Sequence, residues 1–555
     1  MDFEKNELTF IPLGGSEQFG MNLNVYGYDG KWLAVDCGIG FADESYPGID
    51  ILLPDPGFLT ERKKDVVALI VTHAHEDHIG AVPYLWPRLR CPIYCTPFAA
   101  AVLRQKLRDH PDCREAEIHT VKPGATIKAG PFRATFIAVS HSIPETRSLI
   151  IETALGTVVH TGDWNLDPTP AIGTITESAP FAAAGEKGVL ACIGDSTNAE
   201  VEETSFSEAD VKTGMQSVFE TCKGRIAVTI FASNIGRIRS ICHAAKACGR
   251  SVALIGRSLH RMVGAAKECG YLKDVTDFVG EDDIGLIPHD RIVMIVTGSQ
   301  GEQRAQMARI ARGEHPSIRL GRKDTVIFSS RAIPGNEREI ITVKNNLAAA
   351  GVRIVTTRDT DQCIHISGHP ARQEIRRMLG WIKPAALIPV HGERTMLEAH
   401  AALGRECGVP TTIVPNNGSV IRLAPGEAAV IGHVETGLLA VEPGRVIKAD
   451  HPAIGQRRKL QFSGAVHVTL VMDARGDLAA DPKISTVGLA DTESPEGQRF
   501  ENAILGEIDD ILADLTQEEL YDDTFVSEEI RIGVRRFVDH TLKIKPKAVV
   551  HLVRI

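Results

Sequence analysis

The chain reads as an α/β protein of several domains, and three observations predict this. Its 555 residues exceed what one hydrophobic core usually holds. Short apolar runs rich in Val and Ile alternate with polar turns, and from about 205 to 360 each run precedes a helix-length segment, the pattern of parallel βαβ units. The composition, 43% hydrophobic and 24% charged, is that of a globular protein. No apolar run approaches the roughly twenty residues a membrane helix needs, and the start of the chain lacks the basic-then-apolar layout of a signal peptide. Eleven cysteines are odd in number and sit mostly inside apolar runs (Cys37, Cys192, Cys222, Cys269). Reduced thiols and a cytoplasmic location are therefore expected. Cys91 and Cys95 alone are weak evidence for a metal. The net charge of −10 argues against general coating of nucleic acid but leaves room for a local basic groove.

Taken in order, Lys31 to Val35 is a strand ending at Asp36, which can serve a turn or orient a ligating imidazole. Val66 to Val71, six apolar residues, reads as a strand buried on both faces. It delivers His73, His75, Asp77 and His78 within six positions. Side chains alternate along a strand, so these four can converge only from a tight loop at its end. Imidazole nitrogen and carboxylate oxygen are ligands of a borderline divalent ion such as zinc. One histidine usually packs or caps a helix, but His-x-His-x-Asp-His after an apolar strand predicts a metal site. A helix is expected over Ile79 to Leu89. The strands Phe132 to Val139 and Thr157 to His160 end just before His141 and Asp163. His73, His75 and His141 can hold one ion, Asp77 and His78 a second, and Asp163 can bridge them. Ions about 3.5–4 Å apart can stabilise both the attacking and the leaving oxygen of a displacement.

Farther on, strands Arg225 to Ile230, Ser251 to Ile255, Arg291 to Val296 and Thr325 to Phe328 lead into polar loops. Parallel sheets bind ligands beyond such carboxyl ends. Ser233, Asn234, Ser299 and Arg331 fall there, and the helices that follow carry Arg237, Arg239, Arg257, His260 and Arg261. Guanidinium beside small hydroxyl residues suits phosphate. His365, Ser367, Gly368 and His369 then precede a helix from Ala371 to Trp381, with Pro370 suited to a first helical position. They form an expected phosphate site at a helix N-terminus. Ala386 to Val390 is a strand ending at His391, which would complete the second ion. His369 would neutralise charge or protonate a leaving oxygen. At the C-terminal end, strands Ala465 to Met472 and Ile484 to Gly488 precede helices Glu501 to Leu515 and Glu528 to Leu542 and a last strand, Ala548 to Val553. Ile504, Ile508 and Ile511 make an apolar stripe that serves either self-association or packing on its own sheet.

His73-Ala74-His75-Glu76-Asp77-His78, the isolated His141 and Thr161-Gly162-Asp163 resemble the metal motifs of the metallo-β-lactamase superfamily. That implies an αββα sandwich with metals at one edge of its two sheets. Gly194-Asp195-Ser196-Thr197-Asn198, Ser367-Gly368-His369 and Pro389-Val390-His391-Gly392-Glu393 resemble motifs A, B and C of the β-CASP nucleases, which carry a second domain inserted in the first. DNA-directed members usually have valine at motif C and RNA-directed ones histidine, as here. With the Gly14 to Gly20 stretch and the C-terminal appendage, the resemblance extends to the ribonuclease J family. One departure is Gly236, where that family is expected to carry histidine.

The resemblance implies a metallo-β-lactamase domain at 1–205 and 361–455, a β-CASP domain at 206–360 and a small α/β domain at 456–555. It implies a two-metal ribonuclease, 5′→3′ exonuclease with endonuclease activity, in mRNA turnover and rRNA maturation. Catalysis would fall to Asp77, His78, Asp195 and His369. The ions would be zinc or manganese, and the partner single-stranded RNA, with no membrane and a homodimer or homotetramer expected. A DNA nuclease, a small-molecule hydrolase and a silent RNA-binding scaffold are the rivals. His391 argues against the first, and the insertion of about 150 residues against the second. The full ligand set argues against the third.

Overall fold

The structure, a computed structural model, describes residues 3–203, 206–333 and 335–555. The boundary expected at 205 falls on Ser205, outside the described residues. The chain divides into two compact units: one holds the residues up to Phe41 with Ile51–Leu439, the other Ala42–Asp50 with Ala440–Ile555.

Among the described residues, the first unit contains sheets of eight, seven and five strands. The eight-stranded sheet has Leu8–Gly14, Leu23–Tyr28, Lys31–Val35 and Val66–Ile70 side by side at its centre. The seven-stranded sheet runs Pro384–Val390, Val189–Asp195, Gly156–His160, Arg147–Thr153, Phe132–Ala138 between two short edge strands. The two sheets pack face to face. Phe10, Leu33, Val35, Ala68 and Ile70 from one meet Phe132, Phe136, Leu149, Ile193 and Ile388 from the other in one buried cluster. Strand alternation sends Ile137, Val159, Cys192 and Leu387 to the opposite face, where Phe181, Ile375, Met378 and Leu403 of three helices cover them. On the far side Trp32 meets Phe58 of helix Gly57–Glu61 edge-on, with centroids 4.8 Å apart. This is the αββα sandwich that the resemblance implied.

Strand direction is what gathers the site. Phe132–Ala138 is antiparallel to Arg147–Thr153, which is antiparallel to Gly156–His160. That strand is parallel to Val189–Asp195, which is parallel to Pro384–Val390. Four strands therefore run the same way and present His141, Asp163, Asp195 and His391 at one sheet edge. In the other sheet the parallel strands Lys31–Val35 and Val66–Ile70 lead into Asp36 and His73. The helix expected over Ile79 to Leu89 is broken instead into Glu76–Ile79 and Val82–Leu89. The break comes from competing partners: Asp77 O accepts the Asn22 N–H (3.1 Å), and Ala81 N–H donates to Cys37 O (2.9 Å). Asp77 and His78 thus stand on a single helical turn.

The five-stranded sheet is parallel throughout, in the order Ser251–Ile255, Ile292–Val296, Ile226–Thr229, Thr325–Phe328, Arg353–Val355. Arg237 and Arg239, expected as phosphate ligands, are engaged in internal ion pairs instead. Arg237 is 1% exposed, pairs with both oxygens of Glu208, and reaches Ser329. Arg239 pairs with Asp274 and donates to Ala171 O (2.6 Å). Arg257 and Arg261 remain at the surface.

In the second unit Ala465–Met472 lies between Leu478–Val487 and Lys547–Arg554, antiparallel to the first and parallel to the second. The turn between the first two is held by Asp473, whose Oδ1 accepts the N–H groups of Arg475 and Asp477. Both long helices start earlier than expected, at Pro495 and Asp523, because Ser494 and Asp522 cap them. The strand starts earlier too, at Leu478, with Pro482 tolerated on an edge. Ile504 and Ile508 are fully buried in one cluster with Val466, Val468, Val526 and Ile530. Ile504 and Ile508 therefore pack within their own domain, with Ile511 partly buried against the same cluster.

Removing one partner of a buried ion pair leaves an uncompensated charge, at a cost of about 3–5 kcal/mol. Glu208→Ala should therefore bring forward the first transition in thermal unfolding. An unmoved transition would contradict the buried pair.

Candidate metal centre

His73 Nε2, His75 Nδ1, His141 Nε2 and an Asp163 oxygen form one cluster. His75 Nδ1 is 3.0 Å from His73 Nε2 and 3.1 Å from His141 Nε2, and Asp163 Oδ2 is 3.6 Å from each of those two Nε2 atoms. A second cluster joins Asp77, His78, His391 and the same Asp163. His391 Nε2 is 3.0 Å from Asp77 Oδ2 and 3.3 Å from His78 Nε2, which is 3.3 Å from Asp163 Oδ2. Ligand atoms about 2.0–2.2 Å from a tetrahedral zinc lie about 3.3–3.6 Å from one another. The separations here run from 3.0 to 3.6 Å, matching that spacing at the longer end and falling about 0.3 Å short of it at the shorter. Asp163 is 1% exposed, and neither of its oxygens has a hydrogen-bond partner. A buried carboxylate left so is costly unless a cation meets it. The residues present fit divalent metal ions.

The imidazoles are turned inward by their other nitrogens. His141 Nδ1–H donates to Gly368 O at 2.7 Å, and His78 Nδ1–H to Asp36 Oδ2 at 2.7 Å. Thr72 Oγ1 lies 3.0 Å from each Asp36 oxygen and 3.0 Å from His73 Nδ1. Its single proton goes to the carboxylate, so it accepts from His73. Thr197 repeats the arrangement, donating to Asp195 Oδ1 (2.7 Å) and accepting from His391 Nδ1–H (2.8 Å). Two Asp–Thr pairs thus fix two tautomers, which is how protein partners orient metal-ligating histidines. Asp36 and His391 both adopt left-handed backbone (φ 63° and 56°), the sharp exits these positions need.

Electrostatics separates the clusters. Burial, reinforced by neighbouring imidazoles, pushes His75 down to about 3, and burial pushes His141 down to about 4 despite Asp163. Those rings are neutral, with lone pairs to give. Burial also opposes the protonated form of His391, but Asp163, Asp77 and Asp195 overcome it and raise its pKa to about 9. A cation bound there displaces a proton.

His369 borders the second cluster. Its side chain is 21% exposed, between Asp77 at 32% and His391 at 5%. Its Nδ1 meets Asp195 Oδ2 at 2.8 Å and lies 3.8 Å from Asp163. Burial works against its charged form, but the two aspartates more than offset this and raise its pKa. Asn198 donates to Ser367 Oγ (2.8 Å) and His369 O (3.1 Å) and accepts from Arg331 (3.3 Å). Arg331, Ser367 and His369 are thereby brought together. His141, Asn234, Gly236, Ser367 and Gly368 share the lining of a small adjoining cavity. A Cβ at Gly236 would meet only ordinary contacts there, at 3.5 and 3.6 Å. Asn234 caps its helix through Arg237 N–H, His365 Nδ1 lies 3.2 Å from Arg237, and Ser299 is buried. Ser233 is partly exposed in the same loop as Asn234.

Thr72, Thr197 and Asn22 escaped the sequence reading. The first two adjoin or fall within quoted motifs, so a hydroxyl beside a ligand was the available signal. Asn22, whose Nδ2 donates to Asp77 O at 3.0 Å, lies far from the motif in sequence and left none. Thr197→Val keeps the shape but removes the acceptor for His391. Retention of an added divalent metal should fall about 10–100-fold against a competing chelator, and wild-type retention would contradict the assigned orientation.

Four family models match the chain: "Beta-lactamase superfamily domain" at residues 31–182, "Ribonuclease J, beta-CASP domain" at 223–347, "Zn-dependent metallo-hydrolase RNA specificity domain" at 355–415 and "Ribonuclease J C-terminal domain" at 452–555. Ribonuclease J of Sinorhizobium meliloti is 41% identical over 556 residues, covering 100% of this chain and 98% of the relative. Ribonuclease J of Mycolicibacterium smegmatis is 35% identical over 552 residues, covering 99% and 97%. A solved protein of unknown function from Enterococcus faecalis shares the fold, with a TM-score of 0.54 and 16% identity, covering 75% of this chain and 100% of that one. With the two ligand clusters in place and likeness along its whole length, the chain belongs to the ribonuclease J family, as a metal-dependent ribonuclease on a metallo-β-lactamase fold.

Proposed function

We propose that the enzyme holds two zinc ions, or manganese, and degrades single-stranded RNA 5′→3′, with endonucleolytic cuts as well. The observation that carries this is the clustering of His73, His75 and His141 on one side and Asp77, His78 and His391 on the other around the same Asp163, with His369 Nδ1 3.8 Å from that carboxylate. In the reading, His73, His75 and His141 serve one ion, Asp77, His78 and His391 the other, and Asp163 both. Such ions, when bound, activate water and neutralise charge on the phosphodiester. The chain's own residues do the rest. Asp195 takes Nδ1 of His369, so a proton for the leaving oxygen would come from Nε2. Ser367 and Arg331, joined through Asn198, would steady the neighbouring phosphate with Gly368, and Ser233 would lie on the path, while Asn234, Ser299 and His365 would act from behind it, Asn234 and His365 through Arg237. The division at 1–205, 206–360, 361–455 and 456–555, a role in mRNA turnover and rRNA maturation, a cytoplasmic location and a homodimer or homotetramer belong to the same proposal. Assembly would use a surface other than the Ile504–Ile508 stripe.

End-labelled RNA and its DNA counterpart, digested with and without chelator, test the reading. RNA alone should be degraded, progressively from a 5′ monophosphate and slowly from a 5′ triphosphate, and chelator should stop it. Equal decay of RNA and DNA, or decay in chelator, would overturn it. His369→Ala should lower kcat about 10²–10⁴-fold while RNA still binds. An unchanged kcat would remove its role as proton donor.

A further inference from the structure

Glu145 belongs to the short loop that leaves His141 and enters strand Arg147–Thr153, and it has left-handed backbone, φ 63°. A side-chain-bearing residue adopts that conformation only at a cost, so something must hold it there. Both its carboxylate oxygens are engaged. Oε2 accepts the Phe98 N–H at 2.8 Å, in the first turn of helix Pro97–Leu107, where a negative charge is favoured. Oε1 accepts the Tyr271 O–H at 2.9 Å. Tyr271 lies just past helix Arg257–Glu268, which belongs to the five-stranded-sheet region, and its ring meets Phe98 edge-on at 6.4 Å. The two helices pack on one another. Arg147, buried at the far end of the loop, draws on Glu145 as its opposing charge.

The loop is therefore pinned at both ends, at His141 by Gly368 O and at Glu145 by a helix terminus and a tyrosine, with three residues between. We infer that Glu145 is a positioning residue for the metal ligand His141, and that the Tyr271 hydroxyl makes this positioning depend on the inserted region being docked. The inference rests on His141 being a ligand.

Tyr271→Phe removes one hydroxyl and keeps the ring contact. In the full-length, zinc-loaded protein, amide hydrogen exchange across 141–147 and zinc release to a chelator are compared with wild type, alongside thermal unfolding. The expected result is several-fold faster loop exchange and several-fold faster loss of one of two ions, with unfolding unmoved. Glu145→Gln, which can still accept a hydrogen bond, should lie between wild type and Glu145→Ala. Wild-type exchange and release in Tyr271→Phe would overturn the inference, as would equal acceleration of both ions together with earlier unfolding. Full zinc content in His75→Ala would instead defeat the ligand reading, and loop exchange, which needs no ion, would still judge the clasp.

Discussion

The structure depends on the Asp163 carboxylate. It is buried, carries charge, and has no hydrogen-bond donor on either oxygen. Burial of an ion in that condition costs several kcal/mol, and the imidazoles around it divide: His391 and His78 are pushed toward the charged form, whereas His73 and His141 are held neutral with lone pairs to give. His73, His141, His78 and His391 approach it within 3.3–3.7 Å. Strand direction makes this possible, since four strands of one sheet and two of the other end at the same edge.

Around that centre, orientation is controlled through hydroxyls. Asp36 with Thr72 and Asp195 with Thr197 are two copies of one device, each fixing an imidazole in the tautomer that turns its lone pair inward. The second device also carries His369, so one carboxylate serves a proposed metal ligand and a proposed proton donor at once. Asn198 then ties His369 to Arg331 beyond the five-stranded sheet. The inserted region and the sandwich thus share a polar network.

Much of this was legible in the sequence because it is local. The His73–His78 cluster announces itself by spacing, and His141, Asp163 and His391 by their position just past apolar strands. Parallel βαβ texture gave the inserted sheet. What failed was the identity of long-range partners. Arg237 and Arg239 stand where phosphate ligands would, yet Glu208 and Asp274 occupy them, and no pattern in the chain pairs those residues. Likewise Ile504 and Ile508 make the same stripe whether they meet a second chain or Val466 and Val468 of their own. Helix starts at Pro495 and Asp523 were missed because caps, not apolar periodicity, set them.

The most direct test of the shared carboxylate is metal stoichiometry by native mass spectrometry on wild-type and Asp163→Ala protein. Two divalent ions per chain are expected in the wild type, and weakened occupancy of both, not one, in the variant. Two ions retained by Asp163→Ala, or the loss of only one, would show that the clusters are independent.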